Sequence, residues 1–269
     1  MPSSAEAINR AFSKQSLGYD LSEKNNRIIR DMRRQVYAHV ERYLKPQSRM
    51  LELNAGTGVD ALYFSSRGHD VHATDLSDGM INQIRLKASE KKHAGRLTVE
   101  QLSFEHLDRL DGNNFDYVFS NFGGLNCCRD LSLVTQHLST VLRPDAYITW
   151  VIMPPVCLAE LLWCLKGNWT KAARRFTKNG SVAHVEGEHF RTYYHSLNDV
   201  RTAFGRSYNL IQSEGLAALS PQPHHSSFAT TSPGIYSALR KVDKVFRNHW
   251  PFNRWADHII VTFQYKPDA

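Results

Sequence analysis

The sequence predicts an α/β fold, a seven-stranded, mostly parallel sheet with helices on both faces. Three observations point to it. Met50–Asp75 reads as strand, glycine-rich turn, helix and second strand, the unit from which parallel sheets are built. Five more apolar runs follow (Leu97–Leu102, Phe115–Phe119, Tyr147–Met153, Tyr208–Leu216 and His258–Tyr265), with helical patterns among them. The chain has 269 residues, 42% hydrophobic and 22% charged, enough to bury a sizeable core and ordinary for a globular enzyme.

Each element has a local reason. Arg49–Leu53 is a short apolar run with a carboxylate, Glu52, near its end. Asn54-Ala55-Gly56-Thr57-Gly58 can turn sharply, because glycine accepts left-handed backbone angles and asparagine tolerates them. Val59–Arg67 carries apolar residues at helical spacing, with Gly68 as a stop. Val71–Thr74 alternates like a strand and delivers Asp75 to a carboxyl end, the edge where open parallel sheets bind ligands. A nucleoside-type ligand is the first expectation. Ser77 or Asp78 caps a helix running to about Lys92. The third strand is followed by Ser103-Phe104-Glu105, and the fourth by the loop Ser120–Asn126. Leu131–Leu142 is amphipathic, Arg143–Ala146 is a turn, and Leu197–Arg206, capped by Asn198, is the last core helix.

The glycine turn discriminates among nucleoside ligands. A dinucleotide fingerprint wants glycines at its first, third and sixth positions; aligned on Gly56, the sixth is Val59. No GxxxxGK[ST] occurs, so there is no phosphate-cradling lysine loop. What remains is an acid, Asn54-x-Gly-x-Gly, and a second acid 17 residues after Gly58. This pattern resembles the class I S-adenosylmethionine-dependent methyltransferases. Their first motif, acid-x-Gly-x-Gly-x-Gly, stands here as Glu52-Leu53-Asn54-Ala55-Gly56-Thr57-Gly58, with Asn54 for the first glycine.

The resemblance is continuous from Met50 to Met153 and implies a Rossmann-like sheet with S-adenosylmethionine as cofactor. On it, Asn54, Ala55, Gly56 and Gly58 bring backbone close to the ligand. Asp75, followed by Leu76, accepts from the ribose hydroxyls. Met80 packs near the adenine, and the Ser103 hydroxyl or the Phe104 backbone replaces the family's acid at the adenine amino group. Asn121 and Phe122 line the methyl-transfer site. Ala11-Phe12 and Tyr19-Asp20 resemble the lead-in of ubiquinone- and menaquinone-type small-molecule methyltransferases. There the N-terminal helices fold over the cofactor, and the Tyr19 position touches it.

The resulting organisation is an N-terminal helical cap over 1–47, a cofactor-binding core over 48–153, a lid insertion over 154–190, and the rest of the sheet over 191–269 with a second insertion at 217–257. The insertions, expected over the carboxyl edge of the sheet, hold Trp163, Trp169, Phe176, Phe228, Tyr236, Trp250, Phe252 and Trp255, which suits a small apolar or aromatic substrate. They also hold two basic runs, 166–178 and 240–254, within a net charge of +7. RNA methylation through those runs is the alternative function, and a non-catalytic cofactor- or partner-binding protein is the other. The Asn121-Phe122-Gly123-Gly124 loop lacks the Asn/Asp-Pro-Pro-aromatic pattern of base amino-methylation. If the acceptor needs a general base, His184, His189, His195, His224 and Tyr194 are the candidates; His195, just before the last core helix, is the choice.

No acid cluster sits in the loop after the fourth strand, so no metal is expected. Four cysteines without a CxxC, and an N-terminus without an apolar h-region, point to reduced thiols and the cytoplasm. Ala146–Leu165 approaches the length of a membrane span, but Pro154-Pro155 and Glu160 break it. No membrane span is expected, and peripheral contact stays open.

Overall fold

A computed structural model describes residues 4–90, 93, 95–110, 114–164, 174–177 and 179–267. The chain opens with two helices, α1 (Ser4–Asn25) and α2 (Arg27–Val40). A seven-stranded sheet follows, formed by β1 (Arg49–Leu53), β2 (Asp70–Asp75), β3 (Leu97–Gln101), β4 (Phe115–Ser120), β5 (Leu142–Ile152), β8 (Tyr208–Leu216) and β9 (His258–Tyr265). Its order is β3-β2-β1-β4-β5-β9-β8, with β9 antiparallel to both neighbours. A separate hairpin pairs β6 (Ser181–Val185) with β7 (Glu188–Thr192). The remaining helices are α3 (Val59–Ser66), α4 (Asp78–Ala88), α5 (Ser132–Thr135), α6 (Leu138–Val141), α7 (Leu158–Cys164), α8 (Leu197–Phe204), α9 (Phe228–Thr231) and α10 (Pro233–Phe246).

The period of two in the strands divides the core between the two faces of the sheet. Leu51, Val118, Trp150 and Val261 point to one face, where they meet Leu138, Val200 and Phe204. Their chain neighbours Met50, Tyr117, Phe119, Val151 and Ile260 point to the other, beneath Val36 of α2 and Phe64 of α3. Strands covered on both sides are apolar almost throughout, and β9 is buried at its first six positions. The apolar stretch after Ala146 therefore becomes the strand β5, a break at Pro154-Pro155, and α7. Among the described residues no helix is long and apolar enough to cross a membrane.

Several readings change: the turn expected over Arg143–Ala146 lies inside β5, and the helix expected to reach about Lys92 ends at Ala88. The helix expected over 131–142 is two short pieces, α5 and α6, parted at Gln136-His137. The cap of the last core helix is Ser196, not Asn198: its hydroxyl accepts the Asp199 amide at 3.2 Å and the Asp199 carboxylate accepts the Ser196 amide at 2.7 Å. The first insertion also contains the β6–β7 hairpin, which the sequence reading leaves out. Most of the basic run over 166–178, together with Trp169 and the side chain of Trp163, lies outside the described residues.

α1 is held in place from two sides. Ser13 Oγ lies 2.9 Å from Ser77 Oγ and accepts the Gly79 amide at 3.0 Å, which fastens α1 to the head of α4. A Cβ on Gly79 would lie 2.6 Å from the Ser13 backbone, so the helices meet with no room to spare. On its other side α1 packs Ala7 and Ala11 against Phe190 of the hairpin, with Arg10 and Lys14 paired to Glu188.

Candidate active site at the carboxyl edge of the sheet

β1 and β2 end side by side, and the turn after β1 joins them. Asn54, Gly56 and Gly58 all take positive φ, at 46°, 58° and 81°. The Ala55 amide donates to the Thr74 carbonyl at 2.9 Å, and the Gly56 amide to Asp75 Oδ2 at 2.8 Å. Asp75 Oδ1 takes the Ser77 amide at 2.8 Å. Burial raises the Asp75 carboxyl to about 6, against the pull of the Ser77, Gly56 and Leu76 amides. Space around Gly56 is open, with no atom within 4 Å of a Cβ built there. At Gly58 a Cβ would press on Ile84 at 3.0 Å.

The loop after β4 closes on the same turn. Asn54 Nδ2 donates to the Asn121 carbonyl at 3.2 Å, and Ser120 Oγ to Asn54 Oδ1 at 2.7 Å. A Cβ on Gly124 would come within 2.3 Å of the Asn54 side chain. Phe122 takes φ 46°, a conformation costly for a bulky residue, and its amide donates to Asn121 Oδ1 at 2.9 Å. Strain held by surrounding structure in this way is common at ligand sites.

Beneath this loop lies a buried charge cluster. Arg33 of α2 bonds Asp60, at the head of α3, and both carboxylate oxygens of Glu23, each at 2.6 Å. Tyr37 Oη donates to Asp60 Oδ1 at 2.6 Å, and Asn121 Nδ2 to Asp60 Oδ2 at 2.9 Å. The Arg33 guanidinium carbon lies 4.8 Å from the centroid of the Phe122 ring. Glu52 is buried nearby, and among the described residues its Oε2 has no hydrogen-bond partner. Burial, then Asp60 and Asp75, raise its carboxyl well above the usual range, and Arg33 opposes them. Leaving such an atom unsatisfied costs about 1–3 kcal/mol or more, so it is a natural acceptor for a ligand's cationic or N–H group.

The remaining predicted residues fall around this edge. Tyr19 on α1 is raised by burial and by Glu23, and the Asp20 carboxylate beside it accepts from Thr57 Oγ1 of the glycine turn. Met80 is buried in the first turn of α4. The Leu76 carbonyl accepts from Gln101 at 3.1 Å. Ser103 caps the turn after β3, its hydroxyl accepting the Glu105 amide at 3.3 Å, and the Phe104 ring packs on the core.

The predicted base, His195, is anchored by two hydrogen bonds. It is buried, Nε2 donates to the Cys128 carbonyl at 2.9 Å, and its amide donates to the Met153 carbonyl. Those bonds brace the loop after β4. His184 and His189 stack on each other in the exposed hairpin, and His224 is exposed. The expected aromatic lid also disperses. Tyr236 is buried against α2 with its hydroxyl on Asp31, Phe252 packs on the core, and Trp250 is 68% exposed.

Sequence reasoning missed two features. One is the Glu23–Arg33–Asp60 cluster. The other is the pair Asp257-His258, where Asp257 Oδ2 lies 3.0 Å from His258 Nδ1 and the His258 ring stands edge-on to Phe122, centroids 5.9 Å apart. The signal was the direction of β9: its antiparallel course places its first residue at the edge where parallel strands end. Behind Asp257, Cys157 and Glu160 complete a group whose ligand atoms lie within 4.8 Å of one another. The Arg175 guanidinium already sits on both of its carboxylates, 2.7 Å from Glu160 Oε1 and 2.8 Å from Asp257 Oδ1.

Residues 50–145 match the model of the methyltransferase domain family. Over those residues the chain is similar to methyltransferase domains. A curated relative, the malonyl-[acyl-carrier protein] O-methyltransferase of Halorhodospira halophila, is 26% identical over 63% of this chain. The chain spans 56% of that relative's length. Among solved structures, the 1,6-didemethyltoxoflavin-N1-methyltransferase of Burkholderia thailandensis, with its substrate and S-adenosylhomocysteine bound, superimposes with a TM-score of 0.57 at 15% identity. The match covers 97% of this chain and 88% of that one. The [4+2]-cyclase SpnF superimposes as well, TM-score 0.56 at 15% identity over 87% of this chain and 81% of its own. The methyltransferase fold therefore hosts more than one reaction, and the chemistry has to be argued from the site.

Proposed function

We propose that the methyltransferase domain binds S-adenosylmethionine and transfers its methyl group to a small, apolar or aromatic acceptor. The observation that carries this reading is Asp75, held by the Gly56 and Ser77 amides beside the open space at Gly56. A paired acceptor at the end of the second strand suits two adjacent ribose hydroxyls. Glu23 and Asp60 together outnumber Arg33, and that negative excess suits a cofactor with a sulfonium and an ammonium. The unpartnered Glu52 oxygen supports the same fit. When bound, the cofactor supplies a methyl group made electrophilic by the positive sulfur. The chain supplies position and dryness: Asp75 and the glycine turn would hold the nucleoside, Asn121 and Phe122 would border the acceptor, and α1 would cover the nucleoside side.

The basic runs give little support to an RNA substrate. Arg174 and Arg175 are paired with Glu160, Arg240 with Asp31, and Arg247 with Glu214. Calorimetric titration of S-adenosylhomocysteine into wild type and Asp75→Ala tests the proposal. Micromolar binding weakened tenfold or more by the substitution, about 1.4 kcal/mol, is expected. A folded wild type that does not bind would refute it.

A further inference from the structure

β9 enters the sheet antiparallel, so His258 stands at the same edge as the ends of β1, β2 and β4. Its Nδ1 faces Asp257 Oδ2 at 3.0 Å, so Nδ1 carries the proton and donates it. Nε2 is then the lone-pair nitrogen. Among the described residues nothing hydrogen-bonds to Nε2, which lies 3.4 Å from where a Cβ on Gly123 would stand, in the strained turn beside Phe122. Two other buried histidines, His39 and His195, engage partners through Nε2. His39 engages Thr262 through Nε2 and Arg42 and Glu214 through Nδ1, and His195 engages a carbonyl through Nε2.

Asp257 is itself immobilised. Its Oδ1 accepts from Arg175 Nη2 at 2.8 Å and Gln222 Nε2 at 2.7 Å, and Arg175 Nη1 donates to the Asp257 carbonyl at 3.0 Å. Glu160 holds the same arginine and the same glutamine, at 2.7 and 2.6 Å. Asn126 fixes the opposite wall: it takes the Met153 amide at 2.8 Å and donates to the Met153 and Tyr193 carbonyls. A base whose second nitrogen is bonded to a fixed carboxylate is the arrangement that proton transfer from an acceptor requires.

We propose that His258, oriented by Asp257, is the general base of this site, and that the acceptor is a weakly acidic hydroxyl, a phenol above all, rather than a carboxylate. This rests on the methyltransferase reading. A carboxylic acid ionises near pH 4 and needs no base at neutrality, whereas a phenol, ionising near pH 10, does. The acceptor oxygen forms a bond to the methyl carbon while its proton passes to His258 Nε2, the carbon–sulfur pair stays on sulfur as a neutral thioether, and the proton later leaves the imidazolium for solvent.

Burial alone would raise the Asp257 carboxyl; His258 and Arg175 override it and keep it ionised. The other titratable or charged groups near the pair are Glu160 and Cys157 beside Asp257, His224 toward Asp257, and Arg33, which lies over the Phe122 ring.

Two measurements test the proposal. The first is 15N NMR of the histidine rings in wild type and Asp257→Asn. Wild-type His258 is expected with its proton on Nδ1, and the substitution should disturb that tautomer; a wild-type proton on Nε2 overturns the proposal. The second supplies radiolabelled S-adenosylmethionine with simple phenols or with matched benzoic acids. Phenols are expected to be methylated, and His258→Gln should slow this on the order of 100-fold near pH 7. It should keep wild-type affinity for S-adenosylhomocysteine, and the deficit should shrink as pH nears the phenol's own pKa. Methylation of the benzoic acids instead, or a wild-type rate in His258→Gln, overturns the proposal. Failure of wild type to bind S-adenosylhomocysteine removes the methyltransferase reading, and the tautomer then decides the role of His258 alone.

Discussion

Arg33 and Phe122 lie 4.8 Å apart, guanidinium carbon to ring centroid, although one belongs to a helix before the sheet and the other to a loop within it. The same guanidinium binds Asp60 and Glu23, so one side chain ties α1, α2, α3 and the loop after β4 together. Removing one partner of a buried ion pair typically costs about 3–5 kcal/mol, because a charge is left uncompensated. Arg33→Met is expected to destabilise the fold by about that amount, read from the urea midpoint, and to weaken S-adenosylhomocysteine binding.

Asp75 gives the cofactor site a pH dependence. Its carboxyl ionises at about 6, above its ordinary value of 3.8, so the folded apoprotein favours the protonated form. This group's contribution to apoprotein stability therefore rises as pH falls from about 6 toward 4. Ligand affinity moves oppositely, since the ionised form is the better acceptor for two hydroxyls. Affinity for S-adenosylhomocysteine is expected to fall between pH 7 and 5, and Asp75→Asn should flatten that slope. An unchanged slope in the variant would assign it to another group.

Glu214 acts on the whole fold. It is fully buried among His39, Arg42 and Arg247. Burial would raise its carboxyl, but His39 and Arg42 lead the groups that hold it down at about 2. A depressed carboxyl contributes stability that is present above its unfolded pKa, near 4.5, and lost as pH falls toward about 2. His39, lowered chiefly by burial, adds a loss that begins below 6.5. Denaturation midpoints should fall steadily from pH 7 to 3 in wild type. Glu214→Gln should start lower and lose the part of that decline below pH 4.5.

Gly79→Ala tests how α1 is seated. The added methyl would stand 2.6 Å from the Ser13 backbone, which cannot turn aside as a side chain would. Trypsin should cut this variant at Lys14 much faster than wild type, while the unfolding free energy read from urea titration changes by no more than about 1–3 kcal/mol. Equal cutting rates would mean that α1 is held elsewhere.

The sheet was legible because burial writes itself into sequence as period and composition. Tyr208–Leu216 and His258–Tyr265 are found at the predicted bounds, and β1, β2 and β4 within a residue of theirs. The glycine turn was legible because few residues accept its backbone angles. His258 was already the predicted start of the last strand, yet its role was hidden. A base is defined by what faces it, and Phe122, Gly123 and Arg175 reach it only through the topology. Arg33, Glu23 and Asp60 were hidden for the same reason: in one dimension they are ordinary helix charges. The caps show how fine the limit is, for Ser196 and Asn198 both suit a helix start and only backbone geometry chooses between them.

The seating of α1 carries a consequence for turnover. A nucleoside covered by α1, as proposed above, would leave when that helix lifts from α4 or from the hairpin, and the two contacts differ in kind. On the α4 side backbone meets backbone. On the hairpin side Arg10 and Lys14 reach Glu188 through partly solvated ion pairs, each worth about 0–1 kcal/mol and screened by salt. Salt screens these pairs but not the packing of Ala7 and Ala11 on Phe190, so α1 should loosen from the hairpin only in part as ionic strength rises, and a product release that waits on that loosening should quicken modestly in salt.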